Sequence, residues 1–153
     1  MSKICNLILL ALMLVIVSFD QLTKVFFSQY ENGEVFVINS WLSFFYTKNT
    51  GAAWNILSGH SYLLAMLGLG VITAMIFFRK NFKNFLQRAS LALIASGIIG
   101  NTIDRIVHGY VIDFISIDLK FYQWPVFNIA DSAIFCGVMI LSFTFLRKVK
   151  EAK

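Results

Sequence analysis

The sequence predicts an integral membrane protein that is mainly helical, with four transmembrane helices and a small sheet in its first outer loop. The first reason is composition: 58% of the 153 residues are hydrophobic and 14% are charged, against about 45–50% and about 25% in soluble domains. The second is a set of four apolar segments that approach the roughly 20 residues needed to cross a bilayer. The third is the segregation of basic residues between these segments. A water-soluble enzyme, a disordered chain and a disulfide-rich scaffold are therefore disfavoured.

The predicted spans cover about residues 4–27, 61–78, 85–107 and 126–146 of a single domain, 1–153. The first span has the basic start and apolar run of a cleavable signal peptide, with Lys3 followed by Ile4–Phe19. No small-x-small cleavage pattern follows, since the run ends in Phe19, Asp20 and Gln21. We therefore expect a helix that is retained in the membrane.

The charges between the spans predict the orientation of the chain. Nine of the 13 basic residues, with one acid among them, lie before the first span, between the second and third, or after the fourth. Basic residues in short loops favour the cytoplasmic side, so both termini and the middle loop are expected there, and loops 24–60 and 104–125 face outward. The net charge of +5 is thereby explained by topology, and no nucleic-acid partner is expected. The nine residues are Lys3, Arg79, Lys80, Lys83, Arg88, Arg147, Lys148, Lys150 and Lys153.

The first outer loop contains the predicted sheet. Its stretch Val35–Asn55 is rich in β-branched and aromatic residues with some alternation, which favours short strands. Trp41, Trp54 and Trp124 all fall in outer segments, where such rings anchor a protein at the level of the lipid headgroups. We therefore expect a small extracytoplasmic sheet close to the membrane surface.

Ionisable side chains at the outer ends of the spans are candidates for function, because charges inside a membrane segment are costly. Asp20 and Lys24 are four residues apart and share a helix face, so they form either a local ion pair that ends the span or part of a site. Asp104 and Arg105 are adjacent and point about 100° apart, so Arg105 is expected to clamp another carboxylate or a backbone carbonyl. Gly97 permits close helix approach, and a structural role is favoured for this cluster.

Two aspartates are the strongest candidates for chemistry. Asp113 lies in the strand-like stretch Tyr110–Phe114 outside the third span, and Asp131 lies five residues into the fourth, about 7–8 Å below its start. No charged residue three or four positions away neutralises Asp131, so it should share a proton with another acid, and Asp113 is the best partner. Two carboxyl groups that share one proton supply an acid and a base together. The alternatives are a helix-capping aspartate, or one satisfied by Arg105 or Lys24.

No metal or cofactor site is predicted. His60 and His108 lack Cys or Glu at metal-ligand spacing. The chain has neither the glycine-flanked serine of a hydrolase elbow nor a phosphate-binding glycine loop.

Five motifs resemble, in order and over essentially the whole chain, those of lipoprotein signal peptidase (signal peptidase II), the bacterial membrane aspartyl peptidase family. Each motif alone is weak, but five in order on four spans of matching topology are highly specific. They are Asp20-Gln21-Leu22-Thr23-Lys24, Asn49-Thr50-Gly51-Ala52-Ala53-Trp54, Gly97 with Gly100-Asn101-Thr102-Ile103-Asp104-Arg105, Val111-Ile112-Asp113-Phe114, and Phe127-Asn128-Ile129-Ala130-Asp131.

The resemblance implies an endopeptidase of the bacterial inner membrane that cuts prolipoproteins before a cysteine bearing a diacylglyceryl group. Asp113 and Asp131 would activate water near the outer face, without a metal, a cofactor or a covalent intermediate. The resemblance also implies membrane lipid as a partner and inhibition by the cyclic peptide globomycin, and nothing in the spans demands more than a monomer. Asn49, Gly51, Asn101, Arg105 and Asn128 would line or brace the substrate pocket, and Asp20, Lys24, Gly97 and Asp104 would hold the architecture together.

Two other functions compete with this one. A small transporter or proton channel would use Asp20, Asp104 and Asp131 as a relay, but it needs acids through the membrane depth, and these acids all lie at outer ends. A non-catalytic assembly subunit would tolerate Asp113→Asn and Asp131→Asn, which the peptidase would not.

Overall fold

The computed structural model describes residues 3–33 and 35–151. Predictions that involve residues 1–2, Glu34 and residues 152–153 lie outside the described residues. These are the ends of the predicted domain and the orientation charge on Lys153.

Each predicted span contains a helix long and apolar enough to cross a membrane, which confirms the helical membrane fold. Three of the four helices match the predicted bounds within one residue at either end, because polar and turn-forming residues flank their apolar runs. The helices are α1 (Lys3–Ser28), α2 (Ser61–Phe78), α3 (Phe85–Val107) and α4 (Ile129–Glu151).

Helix α4 begins at Ile129, three residues after the start of the predicted fourth span. The apolar residues before it pair with a strand instead, since the N–H of Phe127 donates to Ile115 at 3.0 Å and its carbonyl accepts from Ile115 at 2.8 Å. Asn128 then caps the helix, because its side-chain oxygen accepts from the N–H of Asp131 at 2.8 Å. Hydropathy does not separate an apolar residue in a strand pair from one in a first helical turn, so the predicted start was too early.

Helix α3 lies at the centre and packs against the other three helices. In its most apolar stretch 44% of the residues are buried, against 17% or fewer in the other helices, which expose many large apolar side chains. Glycines allow the close packing of α3 and α4: a side chain at Gly97 would collide with the Ala130 carbonyl, and one at Gly137 would lie 2.7 Å from the Ser90 carbonyl.

The sheet has three antiparallel strands in the order β1 (Val35–Val37), β2 (Leu42–Asn49) and β3 (Val111–Ile117). The predicted sheet in the first outer loop is confirmed, but its third strand comes from the second outer loop. Leu42 pairs with Ile117 and Asn49 with Val111, with an irregularity in β2 between Phe44 and Thr47. The sheet therefore joins the two loops next to one end of the helices, which we call the outer end.

Phe27 in the last turn of α1 holds the sheet against the helices. Its ring stacks on Phe114 of β3, with centroids 4.4 Å apart, and on Phe44 of β2 at 5.7 Å. Stacked aromatic pairs contribute beyond the area that they bury. This contact fixes the height of β3, and therefore of Asp113, relative to α1.

Candidate active site

Asp113 and Asp131 come from different elements and meet at Asn128. Asp113 lies in β3, and Asp131 is the third residue of α4. The side-chain amide of Asn128 donates to Asp113 Oδ1 at 2.7 Å, and its backbone N–H donates to Asp131 Oδ2 at 3.4 Å. The structure thus brings together the two aspartates that the sequence singled out, and we call them the aspartate pair.

The structure corrects two predictions for Asp131, namely its distance from the start of its helix and the residues that contact its carboxyl group. Asp131 lies about 3 Å beyond the start of its helix, at 1.5 Å per residue, and not 7–8 Å. Asn128, three residues before it, contacts it through two backbone N–H bonds of the capping-box type. Among the described residues, neither Lys24 nor Arg105 forms an ion pair with the aspartate pair. Asp131 therefore takes part in the helix cap and also lies close to Asp113.

Two further asparagines donate to the aspartate pair. Asn49, at the end of β2, donates from Nδ2 to Asp113 Oδ2 at 2.9 Å. Asn101, in α3, donates from Nδ2 to Asp131 Oδ1 at 2.7 Å. Each aspartate therefore has a side-chain amide donor from a different element, which holds its carboxyl plane in place.

The partners of these amides fix which way each one points. The side-chain oxygen of Asn101 accepts from Lys24 Nζ at 3.0 Å, and an ammonium group has no acceptor, so the NH2 group must face Asp131. The oxygen of Asn49 accepts from the backbone N–H of Gly51 at 2.9 Å, so its NH2 group must face Asp113. Donor-only partners thus orient both donors toward the aspartate pair.

The electrostatic environment makes Asp113 an unusually weak acid. Burial and the charge of Asp131 together raise the pKa of Asp113 to about 7, against the opposing effect of hydrogen bonds from Asn49 and Asn128. Asp113 is 2% exposed, whereas Asp131 is partly exposed. The more exposed side of the pair is therefore that of Asp131, and near neutral pH Asp113 exists in both protonation states.

A buried ion cluster of Asp20, Lys24 and Asp104 lies beside the aspartate pair. Lys24 Nζ is 2.8 Å from Asp20 Oδ2 and 2.9 Å from Asp104 Oδ2, and the three residues are 1% exposed or less. The carboxylates also accept backbone N–H bonds, Asp20 from Ala130 at 2.8 Å and Asp104 from Ile112 at 3.1 Å. The cluster therefore ties α1 and α3 to the strand and the helix that carry the aspartate pair. The expected ion pair between Asp20 and Lys24 is present, but it does not end the span, because α1 continues to Ser28.

Arg105 clamps backbone carbonyl groups. Its Nη2 donates to the Gly51 carbonyl at 2.9 Å, and its Nη1 donates to the Asn101 carbonyl at 3.3 Å. Its buried Nε has no hydrogen-bond partner among the described residues. Of the two partners that the sequence allowed, the carbonyl is the one observed, and through Gly51 it braces the turn that orients Asn49.

An outer aromatic cluster of Trp54, Tyr122 and Trp124 connects the two outer loops. Trp54 Nε1 donates to Tyr122 Oη at 3.2 Å, and the ring of Trp124 lies 6.4 Å from that of Trp54 and 6.0 Å from that of Tyr122. Trp54 has φ +53°, a backbone conformation uncommon outside glycine. All three rings are exposed, and the N–H of Trp124 donates to the carbonyl of Ile117 in β3 at 2.9 Å, so the cluster lies beside the sheet.

Sequence reasoning quoted Gln21 within a motif but gave it no role. Its Nε2 donates to Asp104 Oδ1 at 3.0 Å and to the Gly100 carbonyl at 3.3 Å, so it supports the buried ion cluster. Ser61 was also missed: as the first residue of α2, it donates to the Thr50 carbonyl at 3.1 Å. Gln21 could have been found from the sequence, because it is a polar residue next to the candidate acid Asp20. Ser61 could not, because its hydrogen bond joins residues that are distant in the sequence.

The groups at the site are carboxyls, amides and backbone N–H donors. The aspartate pair can take a proton from a water molecule at one carboxyl and give a proton from the other. Among the described residues, no group of three or more His, Cys, Asp or Glu side chains is arranged to hold a metal ion.

Comparison with known proteins gives one consistent result. The family model described as signal peptidase (SPase) II matches residues 12–147. The chain belongs to the signal peptidase II family. It is 41% identical to the lipoprotein signal peptidase of Lactobacillus johnsonii, over 99% of both chains. It is 38% identical to that of Psychromonas ingrahamii, over 91% of this chain and 86% of the relative.

The signal peptidase II fold also agrees with solved structures. A bacterial membrane enzyme determined by the in meso method at 2.3 Å superposes with a TM-score of 0.88 and 31% identity, over 95% of this chain and 91% of the other. A second, at 1.9 Å, superposes with a TM-score of 0.81 and 32% identity, over 90% and 92%. The chain is therefore a multi-pass membrane protein of a peptidase family.

Proposed function

We propose that this protein is an aspartic endopeptidase that removes the signal peptide from diacylglyceryl-modified prolipoproteins, cutting before the lipidated cysteine. Its family supports the substrate class, since the relatives are named lipoprotein signal peptidases. The observation that carries the reaction type is the aspartate pair, in which a buried carboxyl and a partly exposed one are held by the same residue, Asn128.

The two aspartates divide the proton transfers between them. A water molecule between them gives a proton to the ionised carboxylate as its oxygen attacks the scissile carbonyl. The protonated carboxyl gives its proton to the carbonyl oxygen, and a tetrahedral diol forms. The carboxyl that received the proton then donates it to the departing nitrogen as the C–N bond breaks. The other carboxylate takes a proton from a diol hydroxyl as the carbonyl re-forms, so both groups return to their initial states after one turnover. The two carboxyls supply the acid and the base, so no metal ion, cofactor or covalent intermediate takes part.

The neighbouring residues would bind substrate or brace the pair. Asn49, Asn101 and Asn128 orient the carboxyls, and Arg105 holds the Gly51 turn at the edge of the pocket. Four further residues have structural roles. The buried ion cluster supports the elements that carry the aspartate pair, and a glycine lets α3 approach α4; these residues are Asp20, Lys24, Asp104 and Gly97.

The depth of the site suits a substrate that is itself a membrane helix. The end of α1 carries Lys24, the start of α2 carries Ser61, the end of α3 carries Asn101, and the start of α4 carries Asp131. The outer ends of all four helices thus meet at one level, where the signal peptide leaves the bilayer. With the basic residues at the opposite ends, this level is the outer face of the bacterial inner membrane. The enzyme acts there as a monomer, and a globomycin-type cyclic peptide occupies the same pocket.

A cleavage assay in liposomes tests this proposal. A diacylglyceryl-modified prolipoprotein is expected to be cut, and its unlipidated counterpart is expected to remain intact. Asp113→Asn and Asp131→Asn should each reduce turnover at least 100-fold, the order of magnitude attributed to acid–base groups. The matched control is Asp118→Asn, because Asp118 is an exposed acid directly after β3.

The proposal fails if neither substrate is cut, or if either variant of the aspartate pair retains turnover close to that of Asp118→Asn. The metal-free mechanism is tested in the same assay with a chelator. Activity should persist, and activity that is lost with the chelator and restored by a divalent cation would replace the aspartic mechanism with a metal-dependent one.

A further inference from the structure

A basic cavity lies at the helix ends opposite the aspartate pair. Its volume is about 480 Å³, and its lining residues are Asn6 of α1, Arg79 and Lys80 of the turn after α2, and Arg88 of α3. The lining thus combines three cationic side chains with one amide and contains no acidic side chain. Three like charges that share one cavity repel one another, and a bound anion would relieve that repulsion.

The loop around the cavity is ordered by its own hydrogen bonds. Asn84 caps α3 by accepting from the N–H of Gln87 at 2.7 Å, and Gln87 Oε1 accepts from the N–H of Lys83 at 3.2 Å. Arg88 Nε donates to the Phe82 carbonyl at 2.7 Å, and this bond fixes the orientation of the guanidinium group. The Nη groups of Arg88 make no hydrogen bond in the described part of the chain. The cavity therefore presents a fixed donor group and not only mobile surface charge.

Among the side chains that the structure describes, which exclude those of residues 148–151, Arg79, Lys80 and Arg88 form no ion pair. The positive-inside rule accounts for basic residues in this loop, but it requires neither a cavity between helices nor a guanidinium anchored to a carbonyl.

We propose that the basic cavity binds the phosphate group of an anionic phospholipid in the leaflet opposite the aspartate pair. Guanidinium groups bind phosphate oxygens in a forked geometry, and the Asn6 amide is a further donor. Phe77 and Phe78, 79% and 53% exposed, stand beside Arg79 and provide an apolar surface for the acyl chains. Basic pockets between transmembrane helices at this level are known to take anionic headgroups.

Native mass spectrometry of the full-length protein in detergent measures this binding. The lipid titrated is phosphatidylglycerol, and phosphatidylcholine of the same chain length is the zwitterionic comparison. The structure predicts tighter binding of phosphatidylglycerol, weakened about fivefold by Arg79→Gln, the effect of one basic residue near an anionic membrane surface. Arg79→Gln with Arg88→Gln should weaken it about 25-fold on the same basis.

Lys83→Gln is the matched control, because it removes one positive charge from the same loop outside the cavity lining. It should change binding less than twofold. The proposal is overturned if Lys83→Gln costs as much as Arg79→Gln, which would indicate general surface charge, or if the two lipids bind equally. The side chain of Arg79 makes no hydrogen bond in the described residues, so Arg79→Gln remains informative even if Arg88→Gln disturbs the loop.

Inorganic phosphate separates the two possible sources of the ligand group. If the cavity recognises a lipid, millimolar phosphate should displace little bound phosphatidylglycerol, since it lacks the acyl chains. Complete displacement would overturn the lipid assignment in favour of a free anion. The readout is lipid binding, so these results are independent of whether the aspartate pair cleaves prolipoproteins.

Discussion

The hydrogen bond from Asn49 should set the pH above which the peptidase loses activity. Asn49 Nδ2 lies 2.9 Å from Asp113 Oδ2, and a donor at this distance favours the ionised carboxylate. The pKa of Asp113 is about 7 with this donor in place. If Asp113 supplies the acid of the pair, activity must fall as the pH rises through that value.

The change Asn49→Ala removes the donor and should raise the pKa of Asp113. A hydrogen bond to a charged group contributes about 1.5–3 kcal/mol, and water entering the half-buried position of Asn49 replaces part of it. The remaining loss is on the order of 1.4 kcal/mol, which corresponds to about one pKa unit. The alkaline limb of the pH–rate profile should therefore move from near pH 7 to near pH 8.

The measurement is the initial rate of prolipoprotein cleavage in liposomes between about pH 5 and pH 9. Asn49→Ser is a second variant, because its hydroxyl can still accept from the Gly51 N–H and so separates loss of the donor from loss of the turn. Asn32→Ala, in an exposed turn before β1, is the control and should leave the profile unchanged. An alkaline limb that stays in place, or moves to lower pH, in both Asn49 variants would refute the assignment of the acid to Asp113.

Three other predictions concern the supports of the site. Lys24→Met leaves Asp20 and Asp104 buried without their cation and should lower the free energy of unfolding by about 3–5 kcal/mol, measured by denaturation in detergent; Lys48→Met, at an exposed ion pair with Glu31, should have little effect. Gly97→Ala places a methyl group against the Ala130 carbonyl and should reduce turnover at least tenfold by separating α3 from α4, whereas Gly70→Ala meets open space and should be neutral; equal rates would contradict this packing argument. Replacing Tyr122 and Trp124 together by Ala removes two members of the outer aromatic cluster; it should raise KM or shift the membrane depth of Trp54 in fluorescence quenching, and no change in either would exclude a lid or anchor role.

The helices were predictable from sequence because hydropathy over about 20 residues is a local signal. The same holds for the grouping of acids at the outer ends, which follows from their positions in the spans. The start of α4 was not predictable, because Phe127 is as apolar in a strand pair with Ile115 as it would be in a helix. In the second outer loop Ser116 is buried in β3, so only the part of the loop after the strand is available as a lid or anchor.

The residues of the site were predictable from sequence, but the hydrogen bonds and ion pairs that join them were not. Spacing alone suggested that Asp113 and Asp131 meet, but not that Asn128 would hold one by its side chain and the other by its backbone. Lys24 was seen with its helical neighbour Asp20, whereas its bonds to Asp104 and Asn101 link residues about 80 positions apart, and sequence periodicity carries no information at that range. Strand pairing between β2 and β3 is non-local for the same reason.

The ion pair between Asp20 and Lys24 lies within a single helix, and this has a consequence for the insertion of the protein into the membrane during synthesis. During synthesis α1 enters the membrane before Asp104 exists, so Lys24 must be inserted without one of the two acids that surround it later. Asp20, four residues earlier on the same face, travels with it and neutralises it from the start. The first helix thus carries its own counter-ion during insertion, when a lone lysine within a membrane segment is costly. The arrival of α3 and α4 then converts this local pair into the buried support of the finished enzyme.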